Sequence, residues 1–137
     1  MRYLGLDLGR ATIGLALADD VLRTARALRT LRRKNEAQDL AALKRVAEEY
    51  EVGLAVLGLP LNMDGTEGPS VRLARAFAPR VEGALGIPVE LADERLSTFE
   101  AEQRLAALGF SSRRRRDKVD AEAAAVILQG WLDRRKA

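Results

Sequence analysis

Met1-Arg-Tyr-Leu-Gly-Leu-Asp-Leu-Gly9 is the stretch on which the fold turns. Leu4, Leu6 and Leu8 alternate with Tyr3, Gly5 and Asp7, the period of two that a β-strand imposes. Gly9 ends the run, and a second apolar segment, Ile13-Gly-Leu-Ala-Leu-Ala18, follows at once. A strand this apolar belongs in the middle of a sheet, where an ionised Asp7 is costly unless something compensates it. Gly5 clears space on the same face, two residues earlier. Asp7 is therefore either satisfied by nearby amides or holding a cation, and this run alone leaves both open.

Composition narrows the chemistry. A chain of 137 residues, 47% hydrophobic and 31% charged, is expected to form one domain spanning residues 1–137 with a core of its own. Aromatics make up only 4%, too few for a stacking platform that would hold bases. With neither cysteine nor histidine, there is no thiolate nucleophile, no disulfide and no imidazole base or ligand. Chemistry must come from carboxylates, hydroxyls, Lys or Arg. A metal, if used, would be a hard oxygen-seeking cation such as Mg²⁺ or Mn²⁺. Asp7 interrupts the only apolar N-terminal run, and no stretch nears the ~20 apolar residues of a membrane span, so a cytoplasmic location is expected.

Further along, Val21 to Leu31 reads as a third strand with one strongly basic face, suited to a sheet edge. Asn35 and Gln38 have capping-box spacing ahead of a helix whose stripe is Leu40, Leu43, Ala47 and Tyr50. Val52 to Leu57 is a strand covered on both faces. A turn-rich loop from Gly58 to Gly68 leads into a helix opening at Pro69 and carrying Leu73, Phe77 and Ala84. Pro79 falls inside that helix and predicts a kink or break, and Gly86 stops it. Ile87 to Ala92 is the last strand. Ser97 and Glu100 then form a capping box for a helix with Ala101, Leu105 and Leu108 inside and Gly109 as its stop. A basic link from Ser111 to Asp117 precedes a final helix from about Lys118 to Arg134. This order predicts an α/β fold. Its five-stranded mixed sheet runs third, second, first, fourth, fifth strand, with helices on both faces.

Three carboxylates then gather at one end of the sheet. Asp120 lies on the apolar stripe of Ala124, Ile127, Leu128 and Trp131, so it faces the sheet. A plainer reading has it complement the helix dipole from the first turn. Asp93 and Glu94 close the last strand and point to opposite faces, so only one of them can meet Asp7. Alternation alone leaves open which one, and a solvated Asp93–Arg95 ion pair is the plain alternative. Converging carboxylates repel unless protonated or bridged by cations. Two divalent metals ~3.5–4 Å apart are a natural bridge, and they suit phosphodiester hydrolysis.

These residues resemble the YqgF (RuvX) family of bacterial nucleases, within the ribonuclease H-like fold. The likeness rests on four blocks in order: Gly5-Leu-Asp-Leu-Gly9 through Asp19, Gly58-Leu-Pro-Leu-Asn-Met-Asp-Gly65, Asp93-Glu-Arg-Leu-Ser-Thr98 with Glu100-Ala101, and Val119-Asp through Leu128. It implies maturation of the 5′ end of pre-16S ribosomal RNA, or resolution of Holliday junctions. It also implies a Mg²⁺- or Mn²⁺-dependent acidic site of Asp7, Glu94 and Asp120, with Asp93 a less certain member. The chain departs from the family at Ala11-Thr12, where a basic pair is usual, and at Ser97-Thr98 in place of Thr-Thr.

Nucleic acid is the expected partner, contacted by Arg10, Arg95, Arg113, Arg114, Arg115, Arg116 and Lys118. The four consecutive arginines before a helix N-terminus would be relieved by phosphates, the alternative being a solvated basic loop. Asn62 to Gly68 could offer amides to a phosphate or be a plain turn. Both monomer and homodimer are open, since paired cuts in a junction require a dimer. A non-catalytic RNA-binding module is the remaining alternative. An actin-like kinase would need two large lobes, and the chain is too short for them.

Overall fold

The computed structural model describes residues 1–95, 97–107 and 112–135, without the side chains of residues 97–99, 102, 105 and 112–118. Five strands form one sheet: β1 (Arg2–Leu8), β2 (Thr12–Asp19), β3 (Arg26–Arg32), β4 (Val52–Leu59) and β5 (Val89–Asp93). Their order is β3-β2-β1-β4-β5, as the sequence predicts. β1 pairs antiparallel with β2 and parallel with β4, and β4 pairs parallel with β5. The helices are α1 (Glu36–Glu49), α2 (Pro69–Leu85), α3 (Ser97–Ala107) and α4 (Ser112–Arg134).

Alternation along β1 builds both cores. Leu4 and Leu6 pack with Leu43 and Val46 of α1 and with Val71, Phe77 and Val81 of α2. Tyr3, on the other face, packs with Ala124, Leu128 and Trp131 of α4. Gly5 lies on the α4 face, where a Cβ would come within 2.9 Å of the Ala124 carbonyl oxygen and of Leu128 Cβ. Its absence lets α4 press its backbone onto the central strand. Asp7 is next on that face, at the sheet's end.

Several local expectations are corrected. β3 begins at Arg26 rather than Val21, because Asp19 closes a turn first: its Oδ1 accepts from the amides of Val21 and Leu22 at 2.9 and 2.8 Å. Asn35 does cap α1, its side chain accepting from the Gln38 amide. The buried stripe of α1 adds Val46 and the acidic Asp39 to Leu43 and Ala47. On α2 the stripe is Val71, Ala74, Phe77 and Val81, and Leu73 is 68% exposed. α2 runs unbroken through Pro79, which is exposed, so water can reach the carbonyl that its missing N–H leaves free. Gly86 ends α2 in the left-handed conformation, φ 70°. β4 continues to Leu59 and β5 starts at Val89, since Pro88 has no N–H for the ladder.

The largest correction concerns the last helix. α4 starts at Ser112, not Lys118, so Arg113 to Arg116 are helical and the basic link is not a loop. Arginine is a good helix former, and the pattern of charge hid that. α3 begins at Ser97. The capping contact of Ser97 and the stop at Gly109 lie outside the described residues, as do the side chain of Leu105 and Leu108 altogether.

Candidate functional site

The parallel pairing of β1, β4 and β5 brings their C-terminal ends side by side, and the acidic residues sit there. Glu94 follows β5 and donates its amide to the Leu59 carbonyl at 3.2 Å, which ties it to the end of β4. Its side chain passes over Gly58. A Cβ at Gly58 would collide with Glu94 Oε2 and approach Ile127 Cδ1 to 2.7 Å. Glycine at this position is what gives the carboxylate room.

Asp7 and Glu94 meet, and their carboxyls form a hydrogen bond. Two ionised carboxylates cannot do this, so one must carry a proton. Otherwise Glu94 Oε2 is left buried with no donor among the described residues. Burial raises the Asp7 carboxyl to about 6; the charge of Asp120 adds to that, while the hydrogen bond with Glu94 opposes it. Burial raises Glu94 to about 8, reinforced by the charge of Asp7, by their hydrogen bond and by Asp93. Near neutrality the pair therefore holds one proton, mainly on Glu94.

Asp120 approaches from α4. Gly14 of β2 makes this possible, because a Cβ there would overlap the Asp120 carbonyl. Two residues earlier on the same strand, Thr12 donates a 2.5 Å hydrogen bond from Oγ1 to Asp120 Oδ2. Asp120 lies more than two turns inside α4, so the first-turn dipole reading does not apply. Among the described residues, no group of three acidic side chains is arranged to hold a metal ion as it stands. Asp7 and Glu94 are in contact, while Asp120 acts on Asp7 through its charge and leans toward Thr12.

Asp93 belongs to a different group. Arg95 binds it through Nη2 at 2.7 Å and Nε at 2.8 Å, which holds its carboxyl below the usual range. The local ion pair and the acidic site thus coexist on adjacent residues, Glu94 being the one that meets Asp7. Arg95 is exposed but shares its charge with Asp93. Arg10 is exposed in the turn after β1. The side chains of Arg113, Arg114, Arg115, Arg116 and Lys118 lie outside the described residues. The loop after β4 is a turn closed by its own amides, those of Asn62, Gly65 and Thr66 bonding to Thr66 O, Asn62 O and Asp64 Oδ1, and Arg95 Nη1 donates to the Met63 carbonyl at 3.4 Å.

Thr12, Gly14 and Gly58 carry the site's geometry and were not singled out by sequence reasoning. A glycine inside a strand signals close approach by another backbone or group, so Gly14 was open to that reading, whereas Gly58 reads in sequence as the start of the loop after the strand. Thr12 offers no comparable signal.

A five-stranded sheet of this order, with acidic residues at the end of its central strand, defines a protein with the ribonuclease H-like fold. The structure is similar to that of T. thermophilus RuvC in complex with a Holliday junction substrate. The TM-score is 0.60 at 17% identity, covering 96% of this chain and 93% of that one. It is also similar to the fowlpox virus resolvase in its complex with Holliday junction DNA, with a TM-score of 0.59, 11% identity and 98% of each chain covered. The chain belongs to the RuvX family, described as Holliday junction resolvase, whose model matches residues 1–134. Relatives named "Putative pre-16S rRNA nuclease" include one from Anaeromyxobacter dehalogenans (strain 2CP-1), 72% identical over 135 residues and 98% of both chains. Another, from Myxococcus xanthus, is 53% identical over 133 residues, 97% of this chain and 88% of the relative.

Proposed function

We propose that the chain is a divalent-metal-dependent nuclease that hydrolyses phosphodiester bonds in the cytoplasm, its substrate being the 5′ region of pre-16S ribosomal RNA. The observation that carries this reading is the buried Asp7–Glu94 carboxyl pair, whose hydrogen bond needs a proton and whose Glu94 Oε2 has no other donor among the described residues. A proton held this way marks where positive charge is favoured. Hard oxygen donors without any imidazole or thiolate suit Mg²⁺ or Mn²⁺. The donor set therefore fits such an ion, with Asp7, Glu94 and Asp120 as the residues that would hold it. Bound there, one or two such ions supply a nucleophile at neutral pH and stabilise the leaving oxygen.

This chain's own residues do the rest. Gly58 and the Leu59 carbonyl aim Glu94 at Asp7. Thr12 orients Asp120, leaving its Oδ1 to the site. Arg10, Arg113, Arg114, Arg115, Arg116 and Lys118 would neutralise substrate phosphates, and Arg95 would join them if it left Asp93. In sequence, Arg10 and Arg95 stand beside Asp7 and Glu94, and Arg113 to Lys118 precede Asp120.

Junction resolution is the second reading, and the description of the matching family favours it. It requires two active sites acting on one junction, hence a homodimer. The deciding experiment is cleavage of a 5′-extended ribosomal RNA leader and of a four-way DNA junction, each with Mn²⁺, Mg²⁺ or EDTA. Wild type and Asp7→Asn are compared. Metal-dependent cutting of the RNA, lost in the variant, supports maturation. Symmetric paired nicks in the junction alone support resolution. Binding without cutting, equal in both proteins, overturns the nuclease reading in favour of a binding module.

A further inference from the structure

Several arginines on this surface are paired. Arg33 binds Asp39, Arg75 binds Glu67, Arg80 binds Glu36, Arg95 binds Asp93 and Arg104 binds Glu122. Other cations have no such partner among the described residues, and three of them line one groove. Between the end of β3 and α1 lies a groove of about 510 Å³ with Arg32, Lys34 and Arg45 on its walls and Leu31 and Ala42 among its lining residues. All three cations are exposed, and among the described residues none lies within ion-pair distance of a carboxylate. The one acid in the groove, Asp39, is 5% exposed. Its oxygens are taken by the Lys34 amide at 2.9 Å and Arg33 Nε at 3.3 Å. Its charge is thus spent on Arg33 and on fixing the chain at Lys34.

The groove begins at the sheet end that carries the acidic residues, but on the α1 side of the sheet, whereas Asp7 and Asp120 lie on the α4 side. Thr12, which holds Asp120, pairs directly with Arg32. Asp7 pairs with Gly14, and Gly14 with Thr30. Two strand spacings, about 10 Å, therefore separate the backbone at Asp7 from that at Thr30, two residues before the end of β3. Arg26 and Arg29 continue the exposed basic series back along the same edge strand.

We propose that this groove binds the phosphodiester backbone of the nucleic acid where it passes round the β3 edge from the acidic site. Arg32, Lys34 and Arg45 are its phosphate contacts, an inference that rests on the nuclease reading for the identity of the substrate. Three uncompensated cations around a concave surface neutralise phosphates at little desolvation cost, since all three are already exposed. The series along β3 also has a plainer use, because charge on an edge strand prevents sheet-to-sheet association. That role does not require the two cations off the strand, Lys34 and Arg45.

The test measures binding in EDTA, so that its outcome does not depend on cleavage. A labelled RNA hairpin with a single-stranded 5′ extension and a four-way DNA junction are titrated across a range of salt concentrations. Wild type is compared with the triple variant Arg32→Gln, Lys34→Gln, Arg45→Gln and with Arg45→Glu alone. The proposal expects the log–log salt slope to fall by about 2–3 in the triple variant and affinity at ~0.15 M salt to drop about 10–100-fold. Loss on RNA alone assigns the groove to RNA, and loss on both assigns it to the shared phosphate backbone. Turnover of a small phosphodiester that cannot reach the groove should stay unchanged. An unaltered slope in a folded triple variant overturns the proposal, as does self-association with unaltered affinity, which would leave only the edge-guarding role.

Discussion

Thr12 and Asp120 stand 108 residues apart in the chain and share a 2.5 Å hydrogen bond, Oγ1 donating to Oδ2. The contact joins the start of the second strand to the interior of the last helix, and it sets how Asp120 faces Asp7. Thr12→Val removes the donor while keeping the shape. Activity should fall about 10-fold, with stability lower by about 0.5–1.5 kcal/mol. Thr12→Ser should restore most of both, and steady-state cleavage with thermal melts checks it.

The acidic pair makes the protein's stability depend on pH. Asp7 and Glu94 hold protons more tightly in the folded chain than in the unfolded one, because burial raises both carboxyls. Folding therefore loses stability as pH rises from about 4 through about 8, where the folded pair must ionise. Asp7→Asn should abolish metal-dependent cleavage yet, in metal-free buffer, raise stability at pH 8 by on the order of 1–3 kcal/mol. The gain should vanish at pH 4, and denaturant titration at both pH values decides it.

Glycines at the site are expected to resist substitution. Gly58→Ala places a methyl where Glu94 Oε2 sits, so it should lower activity strongly and stability by about 1–3 kcal/mol. Gly14→Ala meets backbone rather than a side chain, which cannot swing away. Its effect on stability should be the larger of the two, read from chemical denaturation.

Asp39 supports the turn next to Asp7 from the other side. It binds Arg33, which donates from Nη1 to the Gly9 carbonyl at 2.8 Å. Asp39→Asn should cost about 1–3 kcal/mol, less than for a fully buried pair because Arg33 is 28% exposed. Equilibrium unfolding at neutral pH measures it.

Pro79 is the opposite case. It sits exposed inside an unbroken α2 and donates nothing to the Arg75 carbonyl. Pro79→Ala should raise stability by about 1–3 kcal/mol with no change in activity. A thermal melt is sufficient to test this.

Legibility followed the range of the physics. The alternation of Leu4, Leu6 and Leu8 against Tyr3, Gly5 and Asp7 was enough to centre the first strand, and short crossovers then allowed few strand orders. The α2 stripe was misread at Leu73 because an apolar residue on an exposed helix face looks, in sequence, like one on the buried face. The start of α4 was missed because a run of arginines suggests a solvated link although its helix propensity is high.

By itself, then, the sequence determined the strand order, the two helical layers and the class of residue able to do chemistry here, since periodicity and composition are local properties. Only the tertiary structure decided that Glu94 rather than Asp93 meets Asp7, because strand alternation permits either and the Arg95 ion pair holds Asp93 away. It alone revealed that Thr12 holds Asp120 and that Gly14 and Gly58 make room. Those relationships join elements far apart in the chain, and their distances depend on how closely helix and sheet pack, which no local pattern encodes.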